Sequence, residues 1–355
     1  MASLHAKSWR KWARWGLTAL GALLLLGVVL LAATPLGRYL ARAGWEEGKI
    51  LWARRPIVEV LADSTISPAL RGRLELVQAA RAFAVDSLGL PAGKTFTQYT
   101  QLESDTLVLV LSAAAPDKLV PLVWKFPVVG RLPYKGFFRL ADALAADSAL
   151  VAEGYDTYLR PASAFSTLGW FNDPLLSTTA AQDSVDLVNT VIHELTHNRY
   201  FAEGDATFNE SFANFVGARG AERFFLSRGD TARAARAAAS WADDRVLAQF
   251  WFELFESLDS TFKAHPDDSS RARRIALRDS IYRGARATLI RDIAPRLQTI
   301  SPVYAERVRL DNAALLARRV YLSDLDRFEV AYARANCDLN RTVVALIAEH
   351  SRRPR

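Results

Sequence analysis

The feature that most restricts how this chain folds is an uncharged apolar run near its start. Residues 15–37 read WGLTALGALLLLGVVLLAATPLG, which is 23 residues without a charged side chain. As a helix that rises about 1.5 Å per residue, the run is long enough to cross a hydrocarbon layer about 30 Å thick. Because it is apolar on every face, the run predicts a transmembrane anchor rather than the core helix of a globular domain.

The flanking charges predict the orientation of this anchor. Four cationic side chains lie in residues 1–14, whereas residues 38–49 mix three cationic side chains with two glutamates. The positive-inside rule therefore predicts a cytoplasmic tail over residues 1–14, with the chain after residue 37 on the other side of the membrane. A cleaved signal peptide is the alternative, but its apolar region is usually only about 7 to 15 residues long, and Ala41-Arg42-Ala43 lies beyond Arg38.

Charge and cysteine content exclude several classes of function. The formal net charge is +7, and seven cationic side chains lie in residues 1–14 and in the basic tail at 351–355. The body between them is balanced, so we expect no nucleic-acid partner. The single cysteine, Cys337, excludes an intrachain disulfide and any cysteine-based metal cluster.

Residue patterns divide the remaining chain into a strand-containing part at 38–182 and a helical part at 183–350. Short strands are predicted at residues 106–112, 119–126, 155–159 and 164–171. After residue 183, apolar residues recur at helical spacing, as in Val246, Phe250, Leu254 and Leu258. The fold class expected is α+β, mainly α.

The motif that carries chemistry is HExxH at residues 193–197, within a helix predicted over 183–200. Residues i and i+4 share one helix face about 5 to 6 Å apart, so His193 and His197 can bind one zinc ion. Glu194 is the candidate general base, which takes a proton from water and later delivers it to the leaving amine. Two incidental histidines on an exposed helix are the alternative, and the apolar residues around the motif argue against it.

A zinc site with an open position needs a third protein ligand. The other histidines lie in the N-terminal tail, in a polar loop and near the C-terminus, which favours a carboxylate. Glu210 is preferred, because it begins an apolar helix that a Gly204-Asp205 turn would bring back against the motif. Glu203 and Asp205 are the competing ligands.

Further residues are candidates for supporting roles. Asn214 follows Glu210 by one helical turn, so it can orient one histidine by accepting its second N–H, unless it is simply a partly exposed polar residue. Tyr321 is the candidate oxyanion donor, with Tyr304 and Tyr332 as competitors, and each is otherwise a core aromatic. Residues 166–178 are the candidate substrate-binding edge strand, or else a core segment and turn.

The stretch HELTHNRYFAEGDATFNESFANFVG, residues 193–217, resembles the bacterial putative aminopeptidase family, whose members carry HELxH, a Gly-Asp loop and FNESFAxFV. It is also similar, more distantly, to the gluzincin class of zinc peptidases, in which a downstream glutamate completes a His/His/Glu site. Further similar segments lie at residues 54–57, 126–127, 130–131, 133–138, 154–156, 164–178 and 310–313. The resemblance covers residues 38–350.

This resemblance implies a zincin-like metallopeptidase domain that uses Zn²⁺, takes a peptide substrate and lies on the periplasmic side of the bacterial inner membrane. The sequence departs from many relatives in having no lipobox cysteine near residue 37, which favours a protein anchor. It also lacks the Gly-x-Met-Glu-Asn segment of better-known zinc aminopeptidases, so cleavage at an N-terminus or internally stays open. The alternatives are a zinc amidase acting on peptidoglycan peptides and a non-catalytic scaffold with structural zinc.

Overall fold

The computed structural model describes residues 2–103, 108–126, 130–161 and 174–352. The chain divides into two compact units, Met1–Ala53 and Arg54–Arg355. Predicted strand 164–171 lies outside the described residues, as does most of the candidate substrate segment 166–178.

The first unit consists of helices α1 (Ala2–Ala33) and α2 (Pro35–Trp52). Thr34 separates them and begins α2 by accepting a hydrogen bond from the Gly37 amide. Pro35 is tolerated in the first turn of a helix but breaks a helix interior. The prediction of one continuous helix over residues 15–37 is therefore wrong at Thr34. Within the described residues no single helix meets the length and hydropathy needed to cross a bilayer, although Trp15–Leu30 and Pro35–Trp52 meet them together across a 100° bend.

Small sheets occupy the N-terminal half of the second unit. The first sheet joins β1 (Arg55–Pro56), β2 (Gln98–Thr100) and β8 (Leu175–Leu176), with β2 antiparallel to β1 and parallel to β8. The second has the antiparallel order β6-β3-β7, formed by Tyr134–Phe137, Leu109–Ala114 and Asp156–Pro161. The third is a pair of β4 (Trp124–Phe126) and β5 (Gly130–Leu132).

The strand predictions were partly correct. Strand β3 covers the second half of predicted strand 106–112, and β7 confirms predicted strand 155–159. Predicted strand 119–126 is wrong over its first half, where only an isolated bridge joins Ala114 to Pro121 and the strand begins at Trp124. Pro121 has no amide hydrogen to continue a ladder, which explains the interruption.

Helices account for most of the second unit, which confirms the mainly α class. Their bounds are α3 Ile57–Ala62, α4 Pro68–Leu88, α5 Leu140–Ala152, α6 Ser177–Ala180, α7 Ser184–Arg199, α8 Ala206–Ser227, α9 Thr231–Lys263, α10 Arg271–Thr288, α11 Val303–Arg307, α12 Asn312–Arg319, α13 Leu325–Arg334 and α14 Leu339–Ser351.

Two large apolar cores lie between these helices. The first core packs α4, α7, α8, α13 and α14 around fully buried residues such as Val191 and Phe212. The second core packs α9 against α10 and α12, and it contains Phe250, Leu254 and Leu258, which confirms the predicted stripe on α9. The two helices that carry the candidate metal ligands, α7 and α8, are thus fixed in the first core.

Candidate metal centre

Helix α7 carries the HExxH motif, and the predicted helix over 183–200 is confirmed. Asp183 begins the helix, because its side chain accepts hydrogen bonds from the amides of Val185 and Asp186. One face of the helix is buried in the first core through Val191, Leu195 and their neighbours. His193 and His197 lie at the edge of that face, with 13% and 20% of their side chains exposed. The imidazoles are therefore mostly removed from water while their Nε2 atoms can still reach a ligand.

A fixed loop returns the chain from α7 to α8. Gly204 has a φ of 82°, a left-handed conformation that glycine adopts without strain. Asn209 closes the loop by accepting a hydrogen bond from the Ala202 amide and donating one to the Ala202 carbonyl, at 2.7 and 2.8 Å. Asp205 then begins α8 by accepting from the Phe208 amide. Together these bonds determine where the first turn of α8, with Glu210, lies.

Two glycines allow α8 to pack closely against α7. A Cβ atom on Gly217 would lie 2.9 Å from the Asn189 carbonyl oxygen and 3.3 Å from the His193 Cβ atom. On Gly220 it would lie 2.9 Å from the Ile192 side chain. Since residues 210, 214 and 217 are separated by one turn of helix each, the same face of α8 that needs Gly217 presents Glu210 and Asn214 to α7.

Glu210 meets both histidines, and neither competing ligand does. The Nε2 atoms of His193 and His197 are 3.3 Å apart, and the two carboxylate oxygens of Glu210 lie 3.4 and 3.8 Å from them. Among the described residues, the three side chains form a group whose donor atoms lie within 4.8 Å of one another. Asp205 instead pairs with the His350 Nε2 atom at 3.2 Å, and Glu203 is exposed on the loop.

The chemistry and spacing of these donors fit zinc. With Zn–N and Zn–O bonds of about 2.0–2.1 Å, neighbouring ligand atoms of a tetrahedron are roughly 3.3–3.4 Å apart. The imidazole nitrogens are 3.3 Å apart and lie 3.4 and 3.8 Å from the two Glu210 oxygens, which is at or slightly above this value. Two imidazole nitrogens and one carboxylate oxygen are also the ligands that zinc takes in catalytic sites, where three protein donors leave one position open.

The charges of the three residues are coupled. Burial lowers the pKa of His193, but hydrogen bonding to Glu210 and the nearby carboxylates outweigh this effect and leave the pKa above its ordinary value. Burial and the charge of His193 lower the pKa of His197 to about 4. Burial acts to raise the pKa of Glu210, yet the two histidines hold it below its ordinary value. Metal binding requires the carboxylate ionised and both imidazoles neutral, so a bound ion must displace the proton that the raised pKa of His193 favours.

Asn214 and Glu194 lie where the sequence predicts them. Asn214 contributes to the raised pKa of His193, as an amide oxygen that accepts an imidazole N–H would. Its Nδ2 atom donates to the Tyr321 carbonyl oxygen at 2.9 Å, which leaves Oδ1 for the histidine. Glu194 is half-buried next to His193, and its charge also raises the pKa of that histidine.

Of the three candidate tyrosines, Tyr321 is the one beside the ligands. Its carbonyl is held by Asn214, and burial followed by the charge of Glu210 raises the pKa of its hydroxyl. Tyr304 packs against the second core, and the Tyr332 hydroxyl accepts a hydrogen bond from an arginine of α8. Neither of these competitors is brought to the metal ligands.

Two residues near the ligands were missed by the sequence reasoning. Burial, followed by the charge of Glu210, raises the pKa of Tyr134 on β6 above its ordinary value. The positive charge of Arg160 on β7 partly opposes this rise, and it also contributes to the lowered pKa of Glu210. Arg160 also places its guanidinium carbon 5.8 Å from the centre of the Tyr321 ring. The available signal was the alternation Tyr158-Leu159-Arg160 at the end of predicted strand 155–159. Had that strand been extended by one residue, Arg160 would lie on the same face as Tyr158.

Comparison with known proteins gives one match. A family model described as "Putative aminopeptidase" matches residues 38–353. No curated protein and no solved structure matches the chain. The matched range includes the metal ligands, Asn214, Tyr321 and the strands that carry Tyr134 and Arg160.

Proposed function

We propose that this chain, which belongs to the putative aminopeptidase family, is a zinc-dependent peptidase with its metal on His193, His197 and Glu210. Membership of the family implies a peptidase, and hence a peptide substrate. The observation that supports the finer proposal is the convergence of two imidazole nitrogens, 3.3 Å apart, with the two oxygens of one carboxylate, which lie 3.4 Å from His193 and 3.8 Å from His197. That arrangement brings together three polar side chains from two helices at the edge of an apolar core.

When bound, Zn²⁺ supplies Lewis acidity, which polarises a carbonyl oxygen and makes water nucleophilic near neutral pH. Glu194 lies one residue after His193 on the same helix, so its carboxylate accepts the proton of the attacking water. The same carboxylate then delivers that proton to the nitrogen of the leaving amine. A general acid and base of this kind contributes a factor of about 10² to 10⁴ in rate.

Two further residues complete the proposed machinery. Asn214 holds the His193 ring by accepting its second N–H, which directs the Nε2 lone pair toward Glu210 and His197. In this proposal the Tyr321 hydroxyl donates a hydrogen bond to the oxygen that becomes negative during hydrolysis. Burial and the charge of Glu210 keep the pKa of this hydroxyl above its ordinary value, so that it retains its proton.

The test compares Glu194→Gln with Glu203→Gln, a matched change on the exposed loop before α8. Both purified proteins are assayed for bound zinc and for hydrolysis of fluorogenic peptides with free and blocked N-termini. We expect Glu194→Gln to keep its zinc and lose hydrolysis by about 10² to 10⁴, whereas Glu203→Gln behaves like the wild type. Unchanged hydrolysis in Glu194→Gln refutes its role. Peptidoglycan stem peptides in the same panel separate a peptidase from an envelope amidase.

We further propose that the apolar run at residues 15–37 anchors the chain in the bacterial inner membrane, with the peptidase unit on the periplasmic side. The support is the uncharged length of the run and the cationic residues before it. The wild type should then stay in the membrane pellet after carbonate extraction. Leu25→Asp with Leu26→Asp should release it, because each aspartate costs about 2.5 to 3.5 kcal/mol at a helix centre in the bilayer. Release of the wild type by carbonate contradicts the anchor.

A further inference from the structure

One face of the sheet β6-β3-β7 carries polar side chains beside the candidate metal centre. The strand register aligns six positions of this face in two rows: Tyr134, Ser112 and Tyr158 in one, and Gly136, Val110 and Arg160 in the other. The opposite face packs Leu111 and Phe137 against Ala143 of α5. Because side chains alternate between the faces of a strand, Tyr134 and Arg160 are directed away from that apolar contact.

A chain of contacts connects this polar face to the metal ligands. The Arg160 guanidinium lies over the Tyr321 ring at 5.8 Å from its centre. The Tyr321 carbonyl accepts from Asn214, which is one helical turn after Glu210. Arg160 also lies close enough to Glu210 for its positive charge to act on that carboxylate. Arg160 therefore belongs to the wall of the same site.

Several buried or half-buried arginines of the second unit have a carboxylate partner. Arg219 pairs with Glu329 at 2.6 Å, Arg274 with Asp117 at 2.6 Å and Arg278 with Asp156 at 2.8 Å. Arg160 is also half-buried, but within the described part of the chain no carboxylate pairs with it. A guanidinium withdrawn from water without an ionic partner attracts an anion, and a carboxylate matches its paired N–H groups best.

We propose that Arg160 binds a carboxylate group of the peptide substrate, close to the bond that is cleaved. This inference rests on the proposed peptidase function and names the substrate class of that site. In a peptide the carboxylate comes from one of two sources, the C-terminus of the chain or an acidic side chain. Tyr134 and Tyr321 line the same wall with hydroxyl groups that can donate further hydrogen bonds to the bound anion.

The experiment measures binding by calorimetry, with zinc-loaded Glu194→Gln protein as the parent so that no peptide is consumed. One pair of probes is an N-acetylated dialanine with a free C-terminal acid and the same compound as the amide. A second pair is an acetylated tripeptide amide with either Glu or Gln at its centre. We expect the acidic member of at least one pair to bind about tenfold more tightly, and the pair that responds identifies the source of the carboxylate.

Adding Arg160→Gln to the parent should reduce the ratio of acidic-probe to neutral-probe affinity to about one. Arg160→Lys should keep part of the preference for the acidic probe, because the charge remains. Arg139→Gln, at an exposed position before α5, is the matched control and should keep the full preference. Equal binding of acidic and neutral probes in both pairs, or a preference that survives Arg160→Gln, overturns the proposal. Hydrolysis is not measured, so these outcomes are independent of those that test the peptidase function.

Discussion

Replacing Gly217 with alanine should move apart the two helices that carry the metal ligands. The new Cβ atom would lie 2.2 Å from the Asn189 Oδ1 atom and 2.9 Å from the Asn189 carbonyl oxygen. The amide group can rotate away, but the carbonyl belongs to the hydrogen-bonded backbone of α7. An ordinary carbon–oxygen contact is about 3.3 to 3.6 Å, so α8 must withdraw by roughly 0.5 Å.

This displacement affects both stability and metal binding. Overpacking costs about 1 to 3 kcal/mol, and the higher helix propensity of alanine returns up to about 1 kcal/mol. The free energy of unfolding of the metal-free protein should therefore fall by about 1 to 2 kcal/mol. Metal–ligand distances tolerate only about 0.2 Å, so a shift of roughly 0.5 Å between His193 and Glu210 should weaken zinc binding at least about tenfold.

Urea unfolding and zinc competition against a chromophoric chelator measure the two effects. Gly72→Ala on α4 is the first control, because nothing lies within 4 Å of its Cβ position, and it should leave zinc binding unchanged. Gly220→Ala is the second, because its Cβ meets apolar side chains of Ile192 and Leu88 rather than backbone. It should lose stability with a smaller loss of zinc affinity. Wild-type zinc affinity and stability in Gly217→Ala would refute the close-approach reasoning.

Three other perturbations test the site and its scaffold. EDTA should lower the melting temperature of the wild type, because an ion at a thousandfold excess over its Kd stabilises the folded chain by about 4 kcal/mol; an unchanged midpoint contradicts a bound metal. Asn214→Ala should weaken zinc binding by about 10- to 100-fold in the chelator assay, and wild-type affinity would remove its orienting role. Burial, with the charges of Asp243 and Asp186, raises the pKa of Asp244 to about 7. Between about pH 4 and pH 7 the folded state therefore keeps a proton that the unfolded state has released. The stabilising effect of this bound proton is lost as the pH rises through 7. Asp244→Asn should accordingly raise the free energy of unfolding by about 2 to 3 kcal/mol more at pH 8 than at pH 5, and equal gains would contradict this assignment.

The grouping of the three candidate metal ligands could be predicted from the sequence because local rules bring them together. His193 and His197 follow from helix periodicity, and Glu210 follows from a short turn with a glycine and an N-capping aspartate. Asn214 then follows from the periodicity of the second helix. The spacing does not determine which acid near the turn reaches the histidines. In the structure one competing acid, Asp205, pairs with His350 of α14 instead.

The wall of the site could not be predicted in the same way. Tyr134 and Arg160 are brought together by the register of β6 and β7 on either side of β3, and register depends on contacts between distant residues. The helix break at Thr34 was also missed, because the mean hydropathy of the run does not reveal a helix-capping threonine followed by a proline. Short strands such as β1 and β8 have too few residues to produce a periodic pattern.

The candidate metal ligands lie on two helices, whereas Tyr134 and Arg160 lie on strands of a sheet. This difference predicts how substitutions in each part affect the site. All three metal ligands lie within residues 193–210 on two helices that pack through Gly217 and Gly220. A one-residue slip of β7 would leave these ligands in place, yet it would move Arg160 to the opposite face of the sheet. The proposed metal binding and the proposed substrate preference thus depend mainly on separate parts of the chain. Substitutions in β6, β3 and β7 should therefore change peptide binding more than zinc affinity, whereas substitutions between α7 and α8 should change both.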